Sequence, residues 1–234
     1  MSVRDGEHWV SRRRALALLA GSGVAVEVLR AARAADGASS SSPGLAGSLG
    51  AGGASQIMLI RHGEKPVGSG PPFGIDSNGN PDGESLTVQG WERAGALVEL
   101  FDPSVGQIRP GIVRPTSMFA SDPGATGSKR PLETITPLAQ RLGMTVSTPV
   151  KDSKTAQIAQ ILATTSGSPL AAWQHQDIPS IAQHIGKVHP APPKQWPGHR
   201  FDIVWVFTRK HDGTWKFSQV PQLLLAGDKH SVIK

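Results

Sequence analysis

Cysteine is absent from all 234 residues. No disulfide can staple this chain and no thiolate can hold a metal. The absence is neutral on compartment, because an oxidising space permits disulfides without requiring them. A transmembrane helix needs about 20 apolar residues, and the apolar stretch near the start, Ala15 to Val26, has only 12. After the first 34 residues there is no Lys/Arg run and no aromatic platform, which argues against nucleic acid as a partner. The remaining histidines (His8, His184, His189, His199, His211 and His230) form no ligand-like cluster and read as structural or surface residues. His184 and His189 lack a nearby carboxylate, so no metal site is expected. No internal repeat is evident.

What is present begins with Ser11-Arg12-Arg13-Arg14-Ala15-Leu16, which resembles a twin-arginine export signal. The apolar stretch follows, and Ala32-Arg33-Ala34 offers a small-x-small cleavage site, with Glu27 and Arg30 as blemishes between them. Residues 1–34 are therefore expected to be an export signal read by the twin-arginine machinery, leaving a periplasmic or secreted protein with no stable membrane span. The rival reading is a cytoplasmic protein with a basic amphipathic leader. Residues 35–54 are almost entirely Gly, Ala and Ser, a composition that buries little apolar surface and reads as a flexible tether. Residues 55–234 are the expected folded unit, with one core. Of the chain's 24 basic and 18 acidic residues, six Arg and three acids fall in residues 1–34, so the remainder carries a net +3. That mild charge suits a phosphorylated substrate.

Strand and helix patterns alternate through this unit. Gln56-Ile57-Met58-Leu59-Ile60 reads as a short buried strand. A loop rich in Gly, Pro, Asn and Asp runs from Glu64 to Ser85, a length often functional in compact domains. Thr87 caps a helix whose Val88, Trp91, Ala94, Leu97, Val98 and Phe101 recur at helical spacing. Further strands are expected at 117–120, 145–150 and 170–173, and helices at 131–142 (interrupted at Pro137), 155–163 and 178–185. The chain closes with a hairpin of Phe201 to Phe207, the turn Asp212-Gly213 and an arm from Trp215, with Pro221 placing that arm at an edge. The implied fold class is α/β: a three-layer sandwich with a mostly parallel central sheet, helices on both faces, and a C-terminal hairpin.

The first strand delivers Arg61-His62-Gly63-Glu64 at its C-terminal end, where ligands bind in open α/β sheets. Downstream come Leu86-Thr87-Val88-Gln89-Gly90-Trp91-Glu92-Arg93-Ala94, Phe119-Ala120-Ser121-Asp122, Ser128-Lys129-Arg130-Pro131-Leu132-Glu133-Thr134, and Trp173-Gln174-His175. In order and spacing this series resembles the histidine phosphatase superfamily, or phosphoglycerate mutase-like family, in its branch 1, over roughly residues 56 to 208.

The resemblance implies a metal-independent and cofactor-free phosphatase acting on a phosphorylated small molecule. It assigns His62 as the nucleophile that becomes a phosphohistidine, with its other ring nitrogen held by a backbone carbonyl or carboxylate. Arg61 and Arg130 are implied to grip the phosphoryl oxygens, and His175 to add a donor, best as imidazolium. Glu64 and Glu133 are expected to orient His62 and Arg130. For the general acid, the family's position falls on Asp152, with Asp177 as the second candidate; a carboxylic acid of raised pKa is the usual donor.

Two departures stand out. Pro66-Val67-Gly68 replaces the family's usual Asn or Thr, and Gln174 replaces the glycine usual before the late histidine. Both, with the export signal, argue against a glycolytic mutase. The segment between Arg130 and His175 is short and leaves little for a specificity cap. Narrower alternatives are a phosphohistidine-protein or envelope-glycan phosphatase. A non-catalytic phosphate-binding module is disfavoured because Arg61, His62, Arg130 and His175 are all present.

Overall fold

The computed structural model describes residues 52–234. The expected export signal and nearly all of the linker lie outside the described residues. In chain order the elements are β1 (Gln56–Arg61), α1 (Val88–Phe101), β2 (Ser117–Ala120), α2 (Arg130–Leu142), β3 (Val146–Ser147), α3 (Thr155–Thr164), β4 (Pro169–Trp173), α4 (Ile178–His184), β5 (Val188–His189), β6 (Ile203–Arg209) and β7 (Trp215–Pro221). The strands form one sheet in the order β3-β2-β4-β1-β6-β7-β5. From β3 to β1 all pairs are parallel. β6 runs antiparallel to both β1 and β7, and β5 parallel to β7. The fold is therefore an α/β sandwich with a mixed, mostly parallel sheet and a C-terminal hairpin.

The two-residue period of a strand, with both faces covered, explains why Ile57 to Ile60 of β1 are all apolar. Ile57 and Leu59 pack on one face with Ile158 and Leu162 of α3 and Ile178 and Ile181 of α4. Met58 and Ile60 pack on the other with Leu97 and Phe101 of α1 and Ile135 and Leu138 of α2. Both faces are thus covered, and the C-terminal ends of the parallel strands are left for chemistry.

Three expectations need correction, and one short strand was not expected. Helix α2 runs unbroken through Pro137: the ring removes one backbone donor, but Ile135, Leu138 and Ala139 are buried on either side and hold the segment in place. β3 is only two residues long, because it is the edge strand and Pro149 cannot extend its ladder. The short β5 had no sequence signal. β7 is not the sheet edge, since β5 pairs with it at Trp215 and Lys216; Pro221 lies beyond that pairing, where the outer side of β7 is open.

Among the described residues no helix is long and apolar enough to cross a membrane.

Candidate active site at the ends of β1, β2 and β4

Register brings the motif residues together. Arg61 of β1 lies opposite Trp173 of β4, and the His62 N–H donates to the Trp173 carbonyl at 3.1 Å. Ala120 of β2 lies opposite Ala172, so Ser121, His62, Gln174 and His175 all leave the sheet at the C-terminal end of the parallel strands. Arg130 is the first residue of α2, tied to the same end through Thr134 and Gly63.

The turn after His62 is packed backbone to backbone. A Cβ on Gly63 would lie 2.9 Å from the Gly90 carbonyl oxygen, and one on Gly90 would lie 2.5 Å from the Glu64 carbonyl oxygen. Only glycine at both positions lets the start of α1 approach this closely. Thr134 closes the other side: its Oγ1 accepts from the Gly63 N–H at 2.8 Å and donates to the Arg130 carbonyl at 2.6 Å. One hydroxyl thus ties the His62 turn to the helix that carries Arg130.

His62 is 3% exposed. Its Nδ1 lies 2.7 Å from the Gly63 carbonyl. A carbonyl can only accept, so Nδ1 carries the proton and Nε2 keeps its lone pair. Burial, then the charges of Arg61, Arg130 and Lys65, outweigh that hydrogen bond and lower the pKa to about 3. The imidazole is a neutral base at ordinary pH.

Arg61 is 1% exposed. Its Nη1 donates to the carbonyls of Gly198 (2.6 Å) and Arg200 (3.2 Å), whereas Nε and Nη2 are buried without a partner. Burial lowers its pKa to about 10, against the raising effect of Glu64, and it stays cationic at neutral pH. Two unpaired nitrogens on a buried cation, carrying three N–H groups between them, call for an anion. Arg130 is more engaged: Nε donates to the Ser85 carbonyl (3.2 Å), Nη1 to Ser128 Oγ (3.1 Å) and Nη2 to the Gly83 carbonyl.

His175 departs from its expected charge. Burial, then Arg61 and Lys65, lower its pKa to about 4, so at neutral pH it is neutral rather than an imidazolium. Its Nδ1 is buried and unpaired. A dianion placed among these cations would reverse the sign of the effect.

Glu64 and Glu133 do not touch the residues they were expected to orient. The Glu64 carboxylate takes the Arg93 guanidinium through Nε (3.0 and 3.1 Å) and Nη2 (2.7 Å). Arg93 also donates to Asp228 (2.8 and 3.1 Å) and to Gln222 (2.9 Å). Burial works against the Arg93 charge, but the hydrogen bonds to Asp228 and Glu64 outweigh it and raise its pKa above the ordinary arginine value. Glu133 accepts from Ser85 Oγ (2.6 Å) and the Leu86 N–H (2.9 Å). It therefore reaches Arg130 only indirectly, through the loop whose carbonyls that arginine binds.

Asp152 is close enough to Asp177 to act on it. Burial, then the Asp152 charge, raises the pKa of Asp177. Neither carboxylate is among the groups that shift His62 or His175. Asp152 lines a small cavity with Ser128, whose Oγ accepts from Arg130, and with Gln174, the residue before His175.

Sequence reasoning missed Lys65 and Phe201. Lys65 is an exposed cation that acts on both histidines, adjacent in sequence to the motif and so within reach of inspection. Phe201 stacks on Arg61 and carries no signal beyond its place before the hairpin. Among the described residues no group of three or more His, Asp or Glu could hold a metal ion.

No protein-family model matches this chain, and no curated protein matches it. Among solved structures, one named Mycobacterial hydrolase 2 is similar over 76% of this chain and 92% of its own, with 10% identity and a TM-score of 0.39.

Proposed function

We propose that this chain is an exported histidine phosphatase that hydrolyses phosphomonoesters without metal. The observation that carries the reading is a tautomer-locked, neutral His62 beside the two unpaired nitrogens of Arg61. Phosphoryl transfer asks chiefly for positioning and for donors around the equatorial oxygens, and these groups fit that demand.

The His62 Nε2 lone pair attacks phosphorus in line with the leaving oxygen. The P–O bond breaks, and the departing oxygen takes a proton from Asp152 to leave as an alcohol. Water then attacks phospho-His62, Asp152 takes its proton, and orthophosphate leaves with His62 regenerated. Arg61 and Arg130 hold the phosphoryl oxygens throughout. His175 gains a proton when the dianion enters, and then serves as the further donor. Asp152 is preferred as the acid because it shares a cavity wall with Ser128, the partner of Arg130, and with Gln174, which precedes His175. Asp177, already raised in pKa, is the alternative donor.

The test is rapid quench during turnover, which should trap phosphate on His62 as an acid-labile, base-stable adduct. His62→Ala should abolish adduct and hydrolysis, and near-normal turnover by this variant would defeat the assignment. Asp152→Asn should slow esters with poor leaving groups far more than activated aryl phosphates. Equal slowing of both would move the role to Asp177. Activity should survive excess chelator and be inhibited by vanadate, and loss in chelator restored by a divalent ion would overturn the mechanism.

A further inference from the structure

A cavity of about 400 Å³ lies between the end of β4 and residues 194–198 of the loop before β6, and its walls include His175, Pro179, Lys194, Trp196, Pro197 and Gly198. None of its lining residues is acidic. The one polar atom of the Trp196 side chain, Nε1, already donates to the Arg200 carbonyl at 2.8 Å, so this ring and the two prolines give the cavity an apolar body. Two polar groups on its wall have no partner among the described residues. Lys194 is exposed and joins none of the ion pairs. Of the two unpaired ring nitrogens of His175 only Nδ1 is buried, so Nε2 is the one that solvent or a ligand reaches. A Cβ built on Gly198 would lie 3.5 Å from that Nε2, which puts the nitrogen beside another wall of the same cavity. The Gly198 carbonyl in turn accepts from Arg61 Nη1 at 2.6 Å, so the cavity adjoins the anion site.

We infer that this cavity binds a monocarboxylate with an apolar body, its carboxylate taken by His175 Nε2 and Lys194. Apolar surface leaves water against Trp196, Pro179 and Pro197, and an anion meets one permanent cation and no repelling carboxylate on the wall. An amine would be opposed by Lys194, and a neutral amide would forgo the charge-assisted bonds. The site also bears on His175 itself. Burial, then Arg61 and Lys65, hold that imidazole neutral at neutral pH, whereas a carboxylate beside Nε2 favours the imidazolium. An imidazolium donates from both ring nitrogens, so a carboxylate on Nε2 leaves the Nδ1 proton free. The bound carboxylate thereby promotes the charge state of His175 that the proposed phosphoryl transfer calls for. The alcohol part of a substrate and a separate ligand offer the same chemistry, and kinetics separates the two.

The experiment is isothermal titration calorimetry of the full chain at neutral pH with benzoate, benzamide and benzylamine. Benzoate should bind with a low-millimolar Kd and benzamide at least about tenfold more weakly, because charge-assisted hydrogen bonds are lost. Lys194→Gln should weaken benzoate about threefold, the scale of an exposed ion pair, and His175→Phe at least about tenfold. If His175→Phe does not fold, the imidazole NMR spectrum of the wild type decides: saturating benzoate should raise the pKa of His175 from about 4. Benzamide or benzylamine binding as tightly as benzoate, or a His175 titration that benzoate does not move, would overturn the site. Neither measurement needs turnover, so the phosphatase reading would stand. The source of the carboxylate is read from kcat/KM on 4-carboxyphenyl phosphate and 4-carbamoylphenyl phosphate. A preference for the first of about tenfold, reduced in Lys194→Gln, assigns the carboxylate to the leaving group. Equal values, with benzoate still bound, assign it to a separate ligand. No turnover of either ester while benzoate binds would defeat the phosphatase reading and leave the carboxylate site standing.

Discussion

The guanidinium carbon of Arg61 lies 3.7 Å from the centroid of the Phe201 ring. The same ring meets the His62 imidazole at 6.1 Å between centroids, tilted by 61°. Phe201 therefore covers one face of the arginine, the carbonyls of Gly198 and Arg200 hold Nη1, and the N–H groups on Nε and Nη2 remain without a partner. A stacked, half-bonded guanidinium has little freedom to turn, so its unpaired donors are organised before any anion arrives.

Phe201→Leu removes the stacking and keeps most of the bulk. A cation–π contact of this kind is worth about 0.5–2 kcal/mol, so the inhibition constant of orthophosphate should rise roughly tenfold, with kcat/KM falling in parallel. An unchanged inhibition constant would mean that Arg61 is held by its carbonyl partners alone.

Thr134→Val strands the buried Gly63 N–H and frees the start of α2 at once. Leaving such a donor unpaired costs about 1–3 kcal/mol, measurable by urea denaturation. Turnover should fall more than tenfold as the His62 turn shifts, and Thr134→Ser should restore both. If valine is tolerated in both assays, the hydroxyl is not what joins the two motifs.

The titration of His62 has a definite sign. Its pKa is lowered by burial first and then by Arg61, to about 3, from about 6.5 in the unfolded chain. The unfolded state binds the extra proton between these values, so stability is full above pH 6.5 and declines as pH falls toward 3. His175, lowered to about 4, acts in the same direction. From pH 7 to 4.5 the His62 share is about 2 to 3 kcal/mol, and His62→Asn should flatten the slope by that amount. An identical slope in the variant would show that His62 is not buried as a neutral base.

If Arg12 and Arg13 form a twin-arginine signal, replacing both with Lys should retain full-length protein in the cytoplasm, read by fractionation. Normal export of the double variant would remove that pathway from the proposal.

Much of the fold is legible from local pattern, because burial on one face or two imposes a period that the chain must carry. The run Gln56 to Ile60, the spacing of Ala94, Leu97 and Phe101, and the Asp212-Gly213 turn each place an element within a residue or two. Arg61, His62 and His175 are legible for a related reason: each lies beside a strand end, and the ends of parallel strands are where chemistry gathers. What each charge does there was decided only by tertiary structure. Glu64 sits beside His62 in sequence yet binds Arg93, which in turn reaches Asp228, 135 residues away. Phe201 finds Arg61 through a contact between distant segments that no local period encodes. Side chains near one another in sequence share a strand or a turn, but a buried charge takes whichever partner the packed layers bring within hydrogen-bond reach.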